Sequence, residues 1–209
     1  MIVYKLTRQD RTTKDGFWYP PKGSRLPELD GKGGICSGHW YYGYAHPLLA
    51  VFHAPLHIGA DYTKMIEIDV PEVYAPSQMK LGFTTGIVGK DVPLPKVTDE
   101  QRKRYGIGCV CSVYKDKFYR KWADDWISGE DRSVESAIRA ECLVEVGHVE
   151  YEDMVESVRW MLMQPAGRVI LAAKCAGAAA WDATDAALIA GETLDLIRIA
   201  EWEIGRAHV

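Results

Sequence analysis

Val92-Pro93-Leu94-Pro95-Lys96-Val97-Thr98-Asp99-Glu100-Gln101 divides this chain in two. Upstream of it, apolar and polar residues alternate; downstream, apolar residues recur with the 3.6 period of a helix. Its two prolines can neither donate to a sheet ladder nor sit inside a helix, so Val92 to Pro95 reads as an extended connector. Thr98 and Gln101 have capping-box spacing, in which each side chain satisfies an orphan amide of the other's backbone, so a helix starts there. The chain is read as an α+β protein. A β-rich, loop-rich part over residues 1–97 carries a mixed or antiparallel sheet and one short helix, and a helical bundle follows over 98–209.

Working upstream, Met65-Ile66-Glu67-Ile68-Asp69-Val70 alternates cleanly and is a strand that Pro71 stops. Ile2 to Leu6 is a second strand, Phe17-Trp18-Tyr19 a third that ends at Pro20-Pro21, and Lys80 to Val88 a weaker one broken by Gly82 and Gly86. Residues 22–38 form a long glycine-rich loop, and a loop of that length in a compact domain is usually functional. Pro47 to His53 is a short helix with proline in its first turn, where no N–H is needed.

Working downstream, the capping box opens a helix that reaches about Tyr114. The next helix carries Phe118, Trp122 and Trp126 as an apolar stripe, expected to face a core, and Gly129 ends it. Ser133 caps a third helix ending near Gly147, Tyr151 to Met163 is a fourth, and one or two more run from Arg168 to about Gly205 with a break at Gly191. The alanine-rich stretch from Ala172 to Ala187 leaves little side-chain bulk, which suits close backbone approach and an expected homo-oligomer.

A net charge of −4 over 209 residues gives no basic field for nucleic acid or anionic lipid. The longest apolar stretch, Val169 to Ile189, contains Lys174, Asp182 and Asp185 and is not a membrane span. Met1-Ile2-Val3-Tyr4-Lys5 has no secretory pattern, and the five cysteines are odd in number, so reduced thiols in a cytoplasm are expected. Seven Trp and eleven Tyr exceed what a core of this size needs, so several rings should serve binding.

The densest chemistry lies in His39-Trp40-Tyr41-Tyr42-Gly43-Tyr44-Ala45-His46, four aromatics and two histidines in eight residues. Rings supply stacking faces, imidazoles supply donors or acid–base groups, and the helix beginning at Pro47 offers free amides to an anion. His39, Trp40, Tyr42, Tyr44 and His46, together with His53 and His57 on the following segment, are therefore the candidate ligand-binding residues, and Tyr44→Ala is expected to remove activity rather than stability. His53 and His57 have zinc-helix spacing, but Ala54 stands where the general base would be and Pro55 interrupts the helix. Cys36 and His39 have usable zinc spacing, but Cys109-x-Cys111 lacks the common gap, and on a helix those two residues point apart. No metal, cofactor or complete catalytic set is assigned, and no phosphate loop, nucleophile elbow or dinucleotide fingerprint is present.

Tyr4-Lys5, Cys36 to His39, Tyr44 to Val51, Pro55-Leu56-His57, Val92 to Pro95, Thr98 to Arg102 and Lys121 to Ser133 resemble a set of uncharacterised bacteriophage accessory proteins. That resemblance implies a viral protein in the cytoplasm of a host bacterium and brings no catalytic residues. The expected function is a non-enzymatic binder of a nucleotide-like small molecule, or of a host protein, that interferes with host defence. The order of early strand, aromatic loop and short helix also resembles ADP-ribosyltransferases, which implies NAD or nucleotide processing. Tyr4 and Lys5 stand where that pattern has His or Arg, and Glu67 is the strand-borne acid this alternative would use. A structural or assembly role is the third expectation.

Overall fold

The computed structural model describes residues 1–34, 37–53, 62–75, 80–145, 158, 169–189 and 191–205. The chain divides into two compact units, Met1–Lys96 and Val97–Val209. Strands and one short helix occupy the first and helices the second, an α+β fold.

In the N-terminal unit, β1 (Ile2–Thr7), β3 (Lys64–Asp69) and β5 (Ile87–Val92) form an antiparallel sheet with β3 in the centre. β2 (Tyr41–Gly43) and β4 (Leu81–Phe83) pair antiparallel beside it. The two sheets meet where Tyr4 and Tyr44 exchange backbone bonds of 2.8 and 2.9 Å. Gly43 makes that approach possible, because a Cβ there would lie 3.0 Å from the Tyr4 carbonyl oxygen. Helix α1 (Pro47–His53) packs against β1.

Side chains alternate across a strand, and β1 pairs Val3 with Ile68, Lys5 with Ile66 and Thr7 with Lys64. Val3, Ile66, Ile68 and Val88 therefore share one face and join Tyr19, Leu26, Tyr41 and Phe83 in the core. Leu6 and Met65, opposite each other on the reverse face, are buried as well. Both sheet faces are covered, and Lys5 lies on the core side.

Two expected strands take a different form. Phe17-Trp18-Tyr19 makes only a single bridge, Thr12 to Trp18. Arg11 turns the chain with φ 69°, and its guanidinium binds the carbonyls of Tyr19 and Pro20, each at 3.1 Å, which folds the segment against itself. The Lys80 to Val88 strand is in fact two, β4 and the start of β5, because the chain crosses between sheets at Gly86. A Cβ at Gly86 would come within 2.7 Å of the Ile68 side chain.

In the C-terminal unit, α2 (Asp99–Val113) begins at the Thr98 capping box, with Gln101 Oε1 accepting from Thr98 N at 2.8 Å. Asp116 caps α3 (Lys117–Ser128), and Gly129 ends it in the left-handed conformation. The buried stripe of α3 is Tyr119, Trp122, Ala123 and Trp126, whereas Phe118, expected inside, is 57% exposed. Spacings of three and four from Tyr119 keep to one face better than repeated steps of four from Phe118. Ser133 caps α4 (Val134–Glu145) by accepting from Ser136 N at 3.2 Å.

The Gly147 end of α4 and the helix expected over Tyr151 to Met163 lie outside the described residues, apart from Val158, which is helical and buried. Helix α5 (Val169–Ile189) packs on α2, and Gly191 follows it at φ 72° before α6 (Leu196–Gly205). Ala179, Ala180, Ala183 and Ala187 are buried inside this unit, so that small-residue face is used within the chain. No described helix is long and apolar enough to cross a membrane.

Candidate functional site

The side chain that decides the site is Lys5. Strand β1 sets it opposite Ile66 on the core face, where it is 4% exposed. Its Nζ sits 3.4 Å from the centroid of the Tyr42 ring, a cation–π contact that gives partial compensation for lost water. The Lys80 ammonium, also buried, lies 5.0 Å from the same ring. Lysines elsewhere on this sheet take carboxylate partners: Lys64 faces Asp91 at 3.7 Å and Lys90 faces Glu67 at 3.6 Å. The Lys5 ammonium, unlike its backbone, forms no ion pair and no hydrogen bond among the described residues.

Burial, the Lys80 charge and a weaker opposing pull from Asp15 bring the Lys5 amine from the ordinary 10.5 down to about 7. At neutral pH it exists both as ammonium and as free amine.

Lys5 lines a cleft of about 350 Å³. Phe17, Tyr19, Trp40, Tyr41 and Tyr42 supply aromatic wall; Thr13, Asp15 and Ser37 supply polar groups. Tyr19 and Tyr41 belong to the hydrophobic core as well, so this wall is anchored to the sheet. Burial holds the Tyr19 phenol well above its ordinary value, so it stays protonated. Trp40 stacks on Tyr74 with centroids 5.2 Å apart, and its indole N–H donates to the Gly33 carbonyl at 3.2 Å. Gly31 lets the loop pass under that indole: its φ is 66°, and an added Cβ would stand 3.2 Å from the ring.

The sequence-derived candidates separate on this geometry. Trp40 and Tyr42 line the cleft. His39, between Gly38 and Trp40 in the chain, is exposed at the protein surface, and its Nδ1 is 2.7 Å from Asp30 Oδ1. A carboxylate only accepts, so Nδ1 donates and the neutral ring keeps Nε2 as its acceptor. Desolvation opposes ionisation of Asp30, but bonds from the Lys32 amide and His39 outweigh it and leave its pKa below the ordinary value.

Tyr44 and His53 are not on the cleft wall. Both are buried, with ring centroids 6.0 Å apart: Tyr44 follows β2 at the backbone bridge to Tyr4, and α1 buries its C-terminal half. His46 works on the backbone: its Nδ1 accepts from Leu48 N at 3.3 Å, which occupies an amide expected to be open to an anion. His57 and Cys36 lie outside the described residues. Glu67 pairs with Tyr4 in register, on the face away from Lys5, so it does not supply an acid to the cleft.

Lys5 and Lys80 were missed because no local pattern marks them. The first signal of Lys5 is its cross-strand partner Ile66, sixty-one positions along the chain. Among the described residues, no group of three or more His, Cys, Asp or Glu is placed to hold a metal.

The chain thus has an α+β fold with a cation-floored aromatic cleft in its N-terminal unit. Comparison with protein-family models, with curated proteins and with solved structures finds no match to it.

Proposed function

We propose that the N-terminal unit binds a small anionic ligand with a planar ring, of the kind a nucleotide presents. The observation that carries this reading is Lys5: a nine-tenths buried amine without a carboxylate partner, on the lining of an aromatic-walled cleft. A buried cation costs several kcal/mol unless something compensates it, and Tyr42 compensates only in part. An anionic group would complete the compensation while the aromatic lining, Phe17 and Trp40 included, offers apolar surface to a ring. The resemblance to phage accessory proteins adds a setting, in which sequestering a nucleotide-like host molecule blunts a defence response.

Calorimetric titration of the full chain with nucleoside monophosphates and their parent nucleosides tests this. The monophosphate should bind about 10-fold to 100-fold more tightly, since a charge-assisted bond contributes roughly 1.5–3 kcal/mol. Affinity should fall as pH rises above about 7, because the anion selects the ammonium form of Lys5. Lys80 opposes that protonation and Asp15 favours it. Equal affinity for charged and uncharged ligands, or no binding, would overturn the proposal.

A second reading, turnover of the bound ligand, has the His39–Asp30 pair in its favour, since a carboxylate-oriented imidazole is a general-base arrangement. Hydrolysis of a bound nucleotide that His39→Ala abolishes, with affinity unchanged, would select this second reading.

A further inference from the structure

Binding an anion uses Lys5 as ammonium, but the same surroundings suit the free amine. Lys5 is a lining residue of the cleft, and its nitrogen is held 3.4 Å from the centroid of the Tyr42 ring, which it shares with a second ammonium, Lys80. Desolvation and a neighbouring cation are the two ways by which proteins turn a lysine into a nucleophile. A lysine kept for structure alone would be expected to hold a carboxylate, as Lys64 and Lys90 do on the same sheet.

We infer that the Lys5 amine is a nucleophilic site that condenses reversibly with the carbonyl of a small aldehyde or ketone bearing an anionic group. The nitrogen lone pair forms a bond to the carbonyl carbon, and the carbonyl electron pair moves to oxygen. One amine proton passes to that oxygen to give the carbinolamine, and the second follows as the C=N bond forms and the C–O bond breaks, so the oxygen leaves as water. Asp15, in the same lining, is a group able to relay the proton. No oxidant or co-reactant is needed, and hydrolysis reverses the step. Lys80 places positive charge beside the ring that carries Lys5, which favours an anionic substituent on the carbonyl compound. This inference shares the cleft with the binding proposal but does not depend on a nucleotide being the ligand.

Supporting the geometry, an amine at about 7 is roughly half unprotonated at neutral pH, whereas an ordinary lysine is almost wholly charged. Burial, Lys80 and Asp15 set this balance, and the phenols of Tyr19, Tyr41 and Tyr42 share the cleft lining.

Pyridoxal phosphate is a suitable probe, because it joins an aldehyde, an aromatic ring and a phosphate. The full chain is incubated with equimolar probe near pH 7.5, reduced with borohydride, digested and mapped by mass spectrometry. Lys5 should be modified about 10-fold or more faster than the exposed Lys14, Lys22, Lys32 and Lys90, with pyridoxal lacking the phosphate reacting more slowly there. The Lys5 rate should level off as pH rises through about 7, while exposed lysines continue to accelerate toward pH 10. Label spread evenly over exposed lysines with Lys5 unmodified in the wild-type chain would overturn the inference. Nucleotide binding without a Lys5 adduct would also overturn it and leave the binding proposal standing. A Lys5 adduct in a chain with no nucleotide affinity supports the inference and removes the binding proposal instead.

Discussion

Lys5→Met should raise the stability of the N-terminal unit while removing its anion binding. Met fills nearly the volume of the lysine stem, faces Ile66 across the strand pair, and brings no charge to a position that is 4% exposed. Replacing buried charge by well-packed apolar groups is commonly neutral or stabilising by about 1–4 kcal/mol, and the lost Tyr42 contact subtracts from that gain.

The gain should depend on pH in a defined direction. The folded-state value of Lys5 is depressed from 10.5 to about 7, so between these limits the unfolded chain holds a proton that the folded chain does not. Wild-type stability therefore climbs as pH rises from about 7 to 10.5, and the full penalty of the buried ammonium is present below about 7. The Met variant lacks this contribution, so its advantage is largest near pH 6 and shrinks toward alkaline pH. Chemical denaturation of both proteins across that range reads the effect directly. Equal stability at every pH would mean that the ammonium is not desolvated.

Tyr44→Ala and Trp40→Ala should part company, although the two rings stand four residues apart in one aromatic cluster. Tyr44 is 3% exposed, next to the backbone bridge that joins β1 to β2, and its removal should cost about 3–5 kcal/mol and lower the melting temperature sharply. Trp40 is only partly buried, on the cleft lining and stacked on the exposed Tyr74. Its removal should leave the melting temperature within a few degrees of wild type and weaken ligand binding about 10-fold. Circular dichroism melts alongside calorimetry separate the two. A stable Tyr44→Ala protein without binding would return Tyr44 to the site, and a Trp40→Ala protein that unfolds would make Trp40 core.

Local signals were legible wherever a few neighbouring residues decide the outcome. The Thr98 and Gln101 side chains cap α2 as their spacing requires, and Met65 to Asp69 alternates into the central strand. The inward turn of Tyr44 was not legible, because it depends on pairing with Tyr4 forty residues earlier. Lys5 was harder still. In Ile2-Val3-Tyr4-Lys5-Leu6 a polar residue between apolar ones reads as solvent-facing, and that holds only if one sheet face is wet. Here Leu6 and Met65 are buried on one face and Val3 and Ile66 on the other, so alternation carries no information about exposure. The His39–Asp30 bond was likewise hidden in a loop whose path rests on Gly31 and its close approach to Trp40.

The titration of Lys5 itself tests the central claim most directly. With lysine carbon-13 labelled at Cε, proton–carbon NMR follows each amine across pH, and the signal missing from Lys5→Met identifies Lys5. It should titrate with a midpoint near 7, and saturating phosphate ligand should move that midpoint upward, because an anion in the cleft favours the ammonium. A midpoint in the ordinary lysine range near 10.4, unmoved by ligand, would show an amine in contact with water and would contradict the account.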